Sequence, residues 1–599
     1  VSGFLSNWLI QVSCSIPHMR DFKKINYNQM KKYINLISKK YLLLTGILLL
    51  MFSSCTKDVL KETPLDFLAP ENAYSTVPGI KQGIGGLYAA VRQNWYYGPN
   101  DAVTQMYGIG TDLSYFGEDP ASARFLTDYS TFLTPANSYS SIFWTRNYQL
   151  VQRANVLIEA IESSNASIWS NEAQKNAYLA EAKFFRAFSY RILVSFYGDV
   201  PLVKEVVRSA KTDFVRAPKS EIYKLMEDDL TFATSKLPVP GKEEAPGRIN
   251  QGAAWHMLSE LYLTDSKYQL AVDAATKVID GYGYALMTKR FGTRLGKDVF
   301  GSGDVYFDLF GYGNQNLSSN TESIWVIQVE PLVTGGLYAE GERAFGPAYY
   351  RMGNTPDGFP AFRGELVNGK YTGLSDTLGR PVSWIRPTNY VSYNIWKGNW
   401  KNDIRNAEHN IKRNFYYDSP SSKFHKKKID FSLYPAGSRD ALRDTTQYIY
   451  PYFMKFADPV NHFTDPARSG GGQNHKDLYA IRLAVTLLIR AEAYVRLNNF
   501  NAAAVDINKI RARANASPVS PSDVNLDYIL DERARELYGE EWRAITLRRM
   551  GKFVERVRLY NNNPKVPGLN IKDYNALYPI PQSQIDLNIG AVIKQNPGY

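Results

Sequence analysis

The chain has 599 residues and a formal net charge of +12 at pH 7. That charge is uneven, because residues 1–54 hold seven Lys or Arg and one Asp, which leaves a net charge of only +6 on residues 55–599. A nucleic-acid-binding protein usually shows a dense basic stripe, and the one compact basic run, Lys423–Lys428, is better explained as a solvated loop. We therefore predict no nucleic-acid partner.

A short apolar segment follows a group of lysines near the N-terminus. The lysines of residues 31–40 precede the apolar run 41–52, and Ser53 and Ser54 then lead directly to Cys55. A membrane-spanning helix needs about 20 apolar residues, so this shorter run before small residues is typical of a cleaved signal. The arrangement resembles a bacterial lipoprotein signal, in which the cysteine is acylated and becomes the new N-terminus.

Three predictions follow for this end of the chain. We interpret residues 1–29 as an upstream extension of a start at Met30, residues 30–54 as a lipoprotein signal peptide, and Cys55 as the lipidation site. The alternative is a secretory signal with an incidental cysteine. With Cys14 removed and Cys55 acylated, the mature chain would have no disulfide, no cysteine nucleophile and no cysteine-ligated zinc.

Two segments, 254–279 and 487–510, share one helix-turn-helix pattern and align without a gap. Tyr268 in the first and Phe500 in the second stand where the second helix is expected to begin. Alanines at matching positions let two helices approach closely while the aromatic ring fills the wedge at their turn, as in tetratricopeptide-like repeats. A further long helix is predicted to end at Gly198. The fold class is therefore mainly α, with a helical repeat scaffold.

The composition changes between about residues 285 and 450, where Gly, Asn, Ser, Tyr and Trp alternate with short extended runs such as 323–330. Long irregular connections are uncommon unless they carry function. We predict a loop-rich, partly β insertion at 285–450 within a helical scaffold that comprises residues 55–284 and 451–599.

The order of motifs along the chain resembles the SusD/RagB family of outer-membrane nutrient-binding lipoproteins. The resemblance extends from Cys55 to Tyr599 and implies a SusD-like α/α superhelix. The motifs that carry it are Cys55, 143–161, 180–203, the repeat at 254–279, 481–500, 532–549 and 578–599.

The resemblance also implies a function. Members of this family are held at the outer membrane by the lipid, here on Cys55, face outward, and cap a SusC-like TonB-dependent transporter to which they deliver a nutrient. Most bind an oligosaccharide or polysaccharide. The alternatives from this sequence are a peptide-binding transport component or a helical-repeat interaction scaffold, with a hydrolase as the third.

Sugar rings present flat apolar faces beside hydroxyls, so a glycan-binding protein needs exposed aromatic platforms with neighbouring amides and carboxylates. Two parts of the sequence have this composition, although such rings also pack in cores or anchor protein contacts. The first part holds Trp95, Tyr96, Tyr97 and Tyr115, with Asn94, Asn100 and Asp112 as candidate hydrogen-bond partners. The second holds Trp384, Trp396 and Trp400 with Tyr390 and Tyr393, and has Arg386, Asn389 and Asn394 as candidate partners; Trp384 and Trp396 are put first as ligand contacts.

Catalytic and metal-binding motifs are not recognisable in this sequence. The histidines lack HExxH spacing, the acids lack EF-hand spacing, and no GxSxG or Walker pattern occurs. A glycosidase would need two carboxylates across a cleft, and nothing singles out such a pair. We therefore predict a protein that is not an enzyme, with no cofactor and no recognisable metal site, and the sequence leaves a calcium requirement open.

Overall fold

The computed structural model describes most of the chain beyond residue 72. The predicted extension, the signal peptide and Cys55 lie outside the described residues. Those residues are 73–96, 108–124, 126–296, 298, 302–330, 333–364, 366–367, 370–371, 374–375, 378–458 and 474–599.

Long helices form the first and last parts of the described chain, as the sequence predicted. Those of twelve or more residues are α1 (Val77–Val91), α2 (Ser138–Ser163), α3 (Glu172–Tyr197), α4 (Lys219–Lys236), α5 (Gln251–Thr264), α6 (Tyr268–Gly281), α7 (Leu483–Arg496), α8 (Phe500–Arg513) and α9 (Leu526–Leu537). Shorter α-helices are Tyr129–Phe132, Val305–Leu309, Gly341–Phe345, Asn389–Ser392, Ala441–Arg443, Arg543–Arg549, Phe553–Tyr560 and Gln582–Leu587. None of the described helices is both long enough and apolar enough to cross a membrane.

Local sequence sets where several of these helices begin and end. The side chains of Asn137, Asn171 and Asn250 accept hydrogen bonds from backbone N–H groups in the first turns of α2, α3 and α5. An asparagine at this position satisfies a donor that the helix itself leaves unpaired. Gly198 follows α3 with φ +72°, a conformation that glycine adopts without strain, and so ends the helix where the sequence predicts.

The two predicted repeats are confirmed as helix pairs of matching length. Tyr268 is the first residue of α6 and Phe500 is the first residue of α8. Ser266 and Asn498 occupy equivalent places in the two turns and have φ values of 60° and 58°. Because α6 packs against α7, the two pairs stack as consecutive repeats of a helical array.

The strands are short and pair two by two in the described part of the chain. β4, which the sequence predicted within 323–330, pairs with β10 directly before α7, and all five pairs are antiparallel. The strands are β1 (Ser114–Phe116), β2 (Val200–Pro201), β3 (Arg216–Ala217), β4 (Ser323–Ile327), β5 (Leu366–Val367), β6 (Lys370–Tyr371), β7 (Ile385–Pro387), β8 (Ile411–Lys412), β9 (Tyr452–Phe453) and β10 (Leu478–Arg482). The pairs are β1–β7, β2–β3, β4–β10, β5–β6 and β8–β9.

A buried ionic network joins the helical array to the loop-rich segment. Glu536 on α9 accepts hydrogen bonds from Arg482 at 2.6 Å, from Arg405 at 2.9 Å and from Arg513. Arg482 ends β10, Arg513 ends α8, and Arg405 lies in the loop-rich segment. The four side chains are almost completely buried. One carboxylate therefore holds three separate parts of the fold in register.

A second carboxylate on the same face of α9 extends this network. Glu532, one turn before Glu536, accepts from Arg405 and Arg511 at 2.8 Å each and from Arg535 at 2.9 Å. Burial alone would raise the pKa of Glu532, but the arginines outweigh that effect and lower it to about 2. Burial alone would also raise the pKa of Glu536, but the arginines around this residue hold that pKa well below the usual value of a glutamate. Both groups are therefore carboxylates at neutral pH.

The substitution Glu536→Gln should lower the free energy of unfolding by about 3 to 5 kcal/mol at neutral pH, because it leaves buried guanidinium groups without their counter-charge. Because the pKa of Glu536 is depressed in the folded protein, its carboxylate contributes to the free energy of unfolding at neutral pH, and this contribution is lost in acid. The difference from the wild type should therefore shrink as the pH falls below about 4.3. Denaturant unfolding followed by circular dichroism measures both effects. The control Glu555→Gln alters an exposed pair with Lys552 and should cost less than about 1 kcal/mol; equal losses would contradict a central role for the network.

Candidate functional site

The two sequence clusters predicted as a site meet in the fold. β1 pairs with β7, which sets Tyr115 opposite Arg386 in the register. The Arg386 Cζ atom lies 5.3 Å from the centre of the Tyr115 ring and 5.6 Å from that of Tyr450. Both Tyr115 and Arg386 are buried. The convergence of the two segments is real, but this part of it forms the interior of the protein.

Asp112 is a structural anchor in this arrangement. Its carboxylate accepts hydrogen bonds from Arg543 at 3.0 and 2.6 Å and from Arg556 Nε at 3.0 Å, and its side chain is fully buried. Burial would raise the pKa of Asp112, yet the two arginines together lower it. The expectation that this carboxylate is available to sugar hydroxyls is wrong for this structure, because its oxygens already face two guanidinium groups.

Trp95 and Tyr96 belong to the helical core, so the expectation of an exposed aromatic platform is wrong for both. Trp95 has no exposed surface and stacks on Phe143 at a centroid distance of 5.6 Å, while Tyr96 packs against Trp542 at 5.7 Å. Asn94 is half-buried beside them. The other two residues of this cluster lie outside the described residues; they are Tyr97 and Asn100.

The aromatic residues singled out in the second cluster are also buried, contrary to the same expectation. Trp396 is 1% exposed and donates from Nε1 to the Val391 carbonyl at 2.9 Å. Tyr390 stacks on a neighbouring tyrosine at 4.0 Å, and Trp384 packs under two arginine side chains. Asn389, in contrast, is exposed. The three rings pack inside the protein and hold the loop in place, so their faces are not open to solvent.

Two other rings of the same run form an exposed pair, which we call the aromatic platform. Tyr393 is 40% exposed and Trp400 is 46% exposed. Their centroids are 6.5 Å apart and their planes differ by 6°. Both rings belong to the second cluster of the sequence, in which Trp384 and Trp396 were expected first as ligand contacts. The signal that could have selected them is Gly398, whose φ of +85° marks the tip of the turn before Trp400.

Arg413 supports the aromatic platform. Its Cζ atom lies 4.7 Å from the centre of the Trp400 ring and 5.7 Å from that of Tyr393, within the range of a cation–π contact. Its Nη2 donates to the Ser392 carbonyl and to Asn406 Oδ1 at 2.7 Å each. Burial lowers the pKa of Arg413 to about 10, so the side chain remains charged at neutral pH. The two rings are therefore held nearly parallel by a fixed guanidinium group.

A groove that is not lined by the platform residues lies elsewhere on the protein. It has a volume of about 690 Å³ and is bordered by α2 and by the C-terminal segment near Leu587. Leu587, Ile589 and Val592 project into solvent beside it, with Ile589 85% exposed. Exposed apolar groups of this kind usually mark a contact with another macromolecule. We regard this surface as a candidate protein interface, separate from the aromatic platform.

No group of three or more metal-binding side chains that could hold a metal ion occurs among the described residues. The platform itself offers rings, amides and charges. Two nearly parallel exposed rings with polar groups beside them suit a flat ligand that is apolar on its faces and polar at its edges.

Comparison with known proteins agrees with this fold. The model described as the SusD family matches residues 375–599, and the model described as starch-binding associating with outer membrane matches residues 111–263. A SusD-like protein of Formosa agariphila is 25% identical over 562 residues, which is 90% of this chain and 95% of that protein. These matches support membership of the SusD/RagB family.

Two solved structures extend the comparison. A structure named laminarin binding SusD-like protein superposes with a TM-score of 0.61 at 22% identity, covering 88% of this chain and 100% of the other. Surface glycan-binding protein A from Bacteroides thetaiotaomicron, in complex with laminarihexaose, superposes with a TM-score of 0.61 at 19% identity, covering 87% of this chain and 99% of the other. At these identities the likeness shows the SusD-like helical fold.

The substitution Asp112→Asn should destabilise the fold by about 3 kcal/mol, because it removes the counter-charge of two buried arginines. Denaturant unfolding measures this loss. The nearby variant Asp119→Asn changes an exposed carboxylate and should alter stability by less than about 0.5 kcal/mol. An Asp112→Asn protein that unfolds like the wild type but loses ligand binding would instead restore Asp112 to the ligand site.

Proposed function

We propose that this protein binds an oligosaccharide or polysaccharide at the aromatic platform of Tyr393 and Trp400. The observation that carries the proposal is the exposure and near-parallel orientation of these two rings over Arg413. Flat rings of this kind bind the C–H faces of sugars. Membership of a family with a laminarihexaose-bound member supports the same ligand class.

The proposal includes a place in nutrient uptake. We propose that the mature protein is anchored to the outer membrane by lipid on Cys55, faces outward, and passes its glycan to a SusC-like TonB-dependent transporter. The family description that mentions outer-membrane association supports this location. The apolar surface around Leu587, Ile589 and Val592 is available for a protein partner.

Two other functions make different predictions. A peptide-binding transport component would bind peptides and leave the platform unaffected by sugars. A hydrolase would release reducing ends from a polysaccharide, and it would need two carboxylates across a cleft. Nothing in the described part of the chain singles out such a pair beside the platform, and Glu408, an exposed acid of the same segment, is bonded to backbone amides. Binding without hydrolysis is the function that the platform supports best.

Replacing Trp400 with alanine should weaken glycan binding about tenfold, because one exposed aromatic face contributes on the order of 1.4 kcal/mol. Affinity electrophoresis against a panel of plant, microbial and host polysaccharides, followed by calorimetry on those retained, measures the loss. Phe500→Ala removes another half-exposed ring, at the start of α8, and should leave binding unchanged. Normal binding by Trp400→Ala would remove the platform from the ligand site, and retention by peptides alone would favour the peptide-binding alternative.

Replacing Cys55 with alanine should abolish lipid attachment, since the cysteine thiol is the acylated group. Expression in a bacterium fed radiolabelled palmitate, followed by separation of membrane and soluble fractions, measures both labelling and location. Cys14→Ala is the matched control, because that cysteine lies in the segment predicted to be removed. Labelling of the Cys55→Ala protein would contradict the proposed anchor.

A further inference from the structure

Most of the net charge of the mature chain is concentrated in one short segment. Residues 389–434 hold nine Lys or Arg and four Asp or Glu, a net charge of +5, whereas residues 55–599 as a whole carry +6. This segment contains the aromatic platform as well as the basic run Lys423–Lys428. Net charge concentrated beside a binding surface attracts ligands of the opposite sign.

The lysines of this segment that face solvent are not neutralised by neighbouring acids. Six of them are exposed, and none forms an ion pair with a described residue. They are Lys397, Lys401, Lys423, Lys426, Lys427 and Lys428.

The acids of the segment are already engaged elsewhere. Glu408 accepts from the backbone N–H groups of Arg413 and Asn414 at 3.2 and 2.9 Å. Asp430 accepts from the Ser432 N–H at 2.9 Å, and Asp403 is buried against a guanidinium group. These carboxylates stabilise turns and the ionic network, so the positive charge of the lysines is left to the solvent side.

The lysines and the platform lie on one continuous part of the fold. A hairpin brings residues 415–417 beside residues 427–429, with Ile429 N–H donating to the Phe415 carbonyl at 2.8 Å and Tyr417 N–H to the Lys427 carbonyl at 3.1 Å. The hairpin begins two residues after Arg413, which supports the platform. Tyr416 pairs with Lys428 across the hairpin, and the three residues from Arg413 to Tyr416 span at most about 10 Å, so the last lysine of the run lies close to the residue that supports the platform.

The hairpin tip repeats the combination of ring and cation found at the platform. The Nζ atoms of Lys423 and Lys427 each lie 5.4 Å from the centre of the Phe424 ring. Tyr416, on the strand that connects the platform with the tip, is 48% exposed. Aromatic rings and ammonium groups therefore alternate along this part of the chain.

We propose that the glycan bound by this protein is a polyanion, with carboxylates or sulfates on its sugars, and that it extends from the aromatic platform to the lysines of the 423–428 turn. This inference rests on the proposed function, since it names the class of glycan that the same surface binds. A neutral glycan would use the rings and amides and could accept hydrogen bonds from the six ammonium groups, but it would not gain charge pairing with them. Anionic sugars form charge-assisted hydrogen bonds with them.

The test compares the protein with the triple variant Lys426→Gln, Lys427→Gln and Lys428→Gln. Calorimetry is done with alginate as a polyuronate, dextran sulfate as a sulfated glycan and laminarin as a neutral glycan, at low and at high salt. We expect alginate or dextran sulfate to bind more tightly than laminarin, to bind about tenfold more weakly to the triple variant, and to weaken further at high salt. The relative affinities for alginate and dextran sulfate show whether carboxylate or sulfate is the preferred anion.

A matched control removes the same number of charges from the helical part of the protein. The exposed residues Lys219, Lys236 and Lys242 are replaced by glutamine together, and this variant should bind like the wild type. Equal losses in the two triple variants would show a general charge effect and overturn the inference. Laminarin binding that depends on Trp400 but not on the 423–428 lysines would overturn the polyanion inference while supporting the proposed function. Failure of all three glycans to bind would overturn both.

Discussion

The buried ionic network around α9 is the interaction on which the rest of the structure depends. Glu532 and Glu536 lie one helical turn apart and collect arginines from α8, from the end of β10 and from the loop-rich segment. Removing such charges from water is expensive, and the loss is recovered only when every group has its partner. The network therefore permits only one register between the helical array and the loops. A purely apolar interface would specify that register less strictly.

This constraint reaches the functional surface through a short path. Arg405 enters the network eight residues before Arg413, and Arg413 supports Tyr393 and Trp400. Because the arginine-rich interior holds the loop between them, two exposed rings stay nearly parallel without being part of a core. A binding surface of this kind is rigid before the ligand arrives, so little conformational entropy is lost on binding.

The candidate site shows where reading residue types along a sequence succeeds and where it fails. Composition drew attention to the run that contains the platform, because rings, amides and glycine occur there together. Within that run it put Trp384 and Trp396, which are buried, ahead of Trp400, which is exposed. An aromatic side chain has the same identity in a core as on a surface. Whether the ring is buried or exposed depends on the residues that distant segments bring beside it.

The sequence by itself determined the mainly α fold class, the two helix pairs, the end of α3 at Gly198 and the family, because these depend on local periodicity, capping and motif order. The tertiary structure alone decided that Asp112 is held by Arg543 and Arg556, that Trp95 is core, and that the lysines beside the platform form no ion pair with a described residue. Each of these facts depends on residues brought together from segments far apart in the chain. Side-chain burial and charge pairing are properties of that convergence, and no local pattern encodes them.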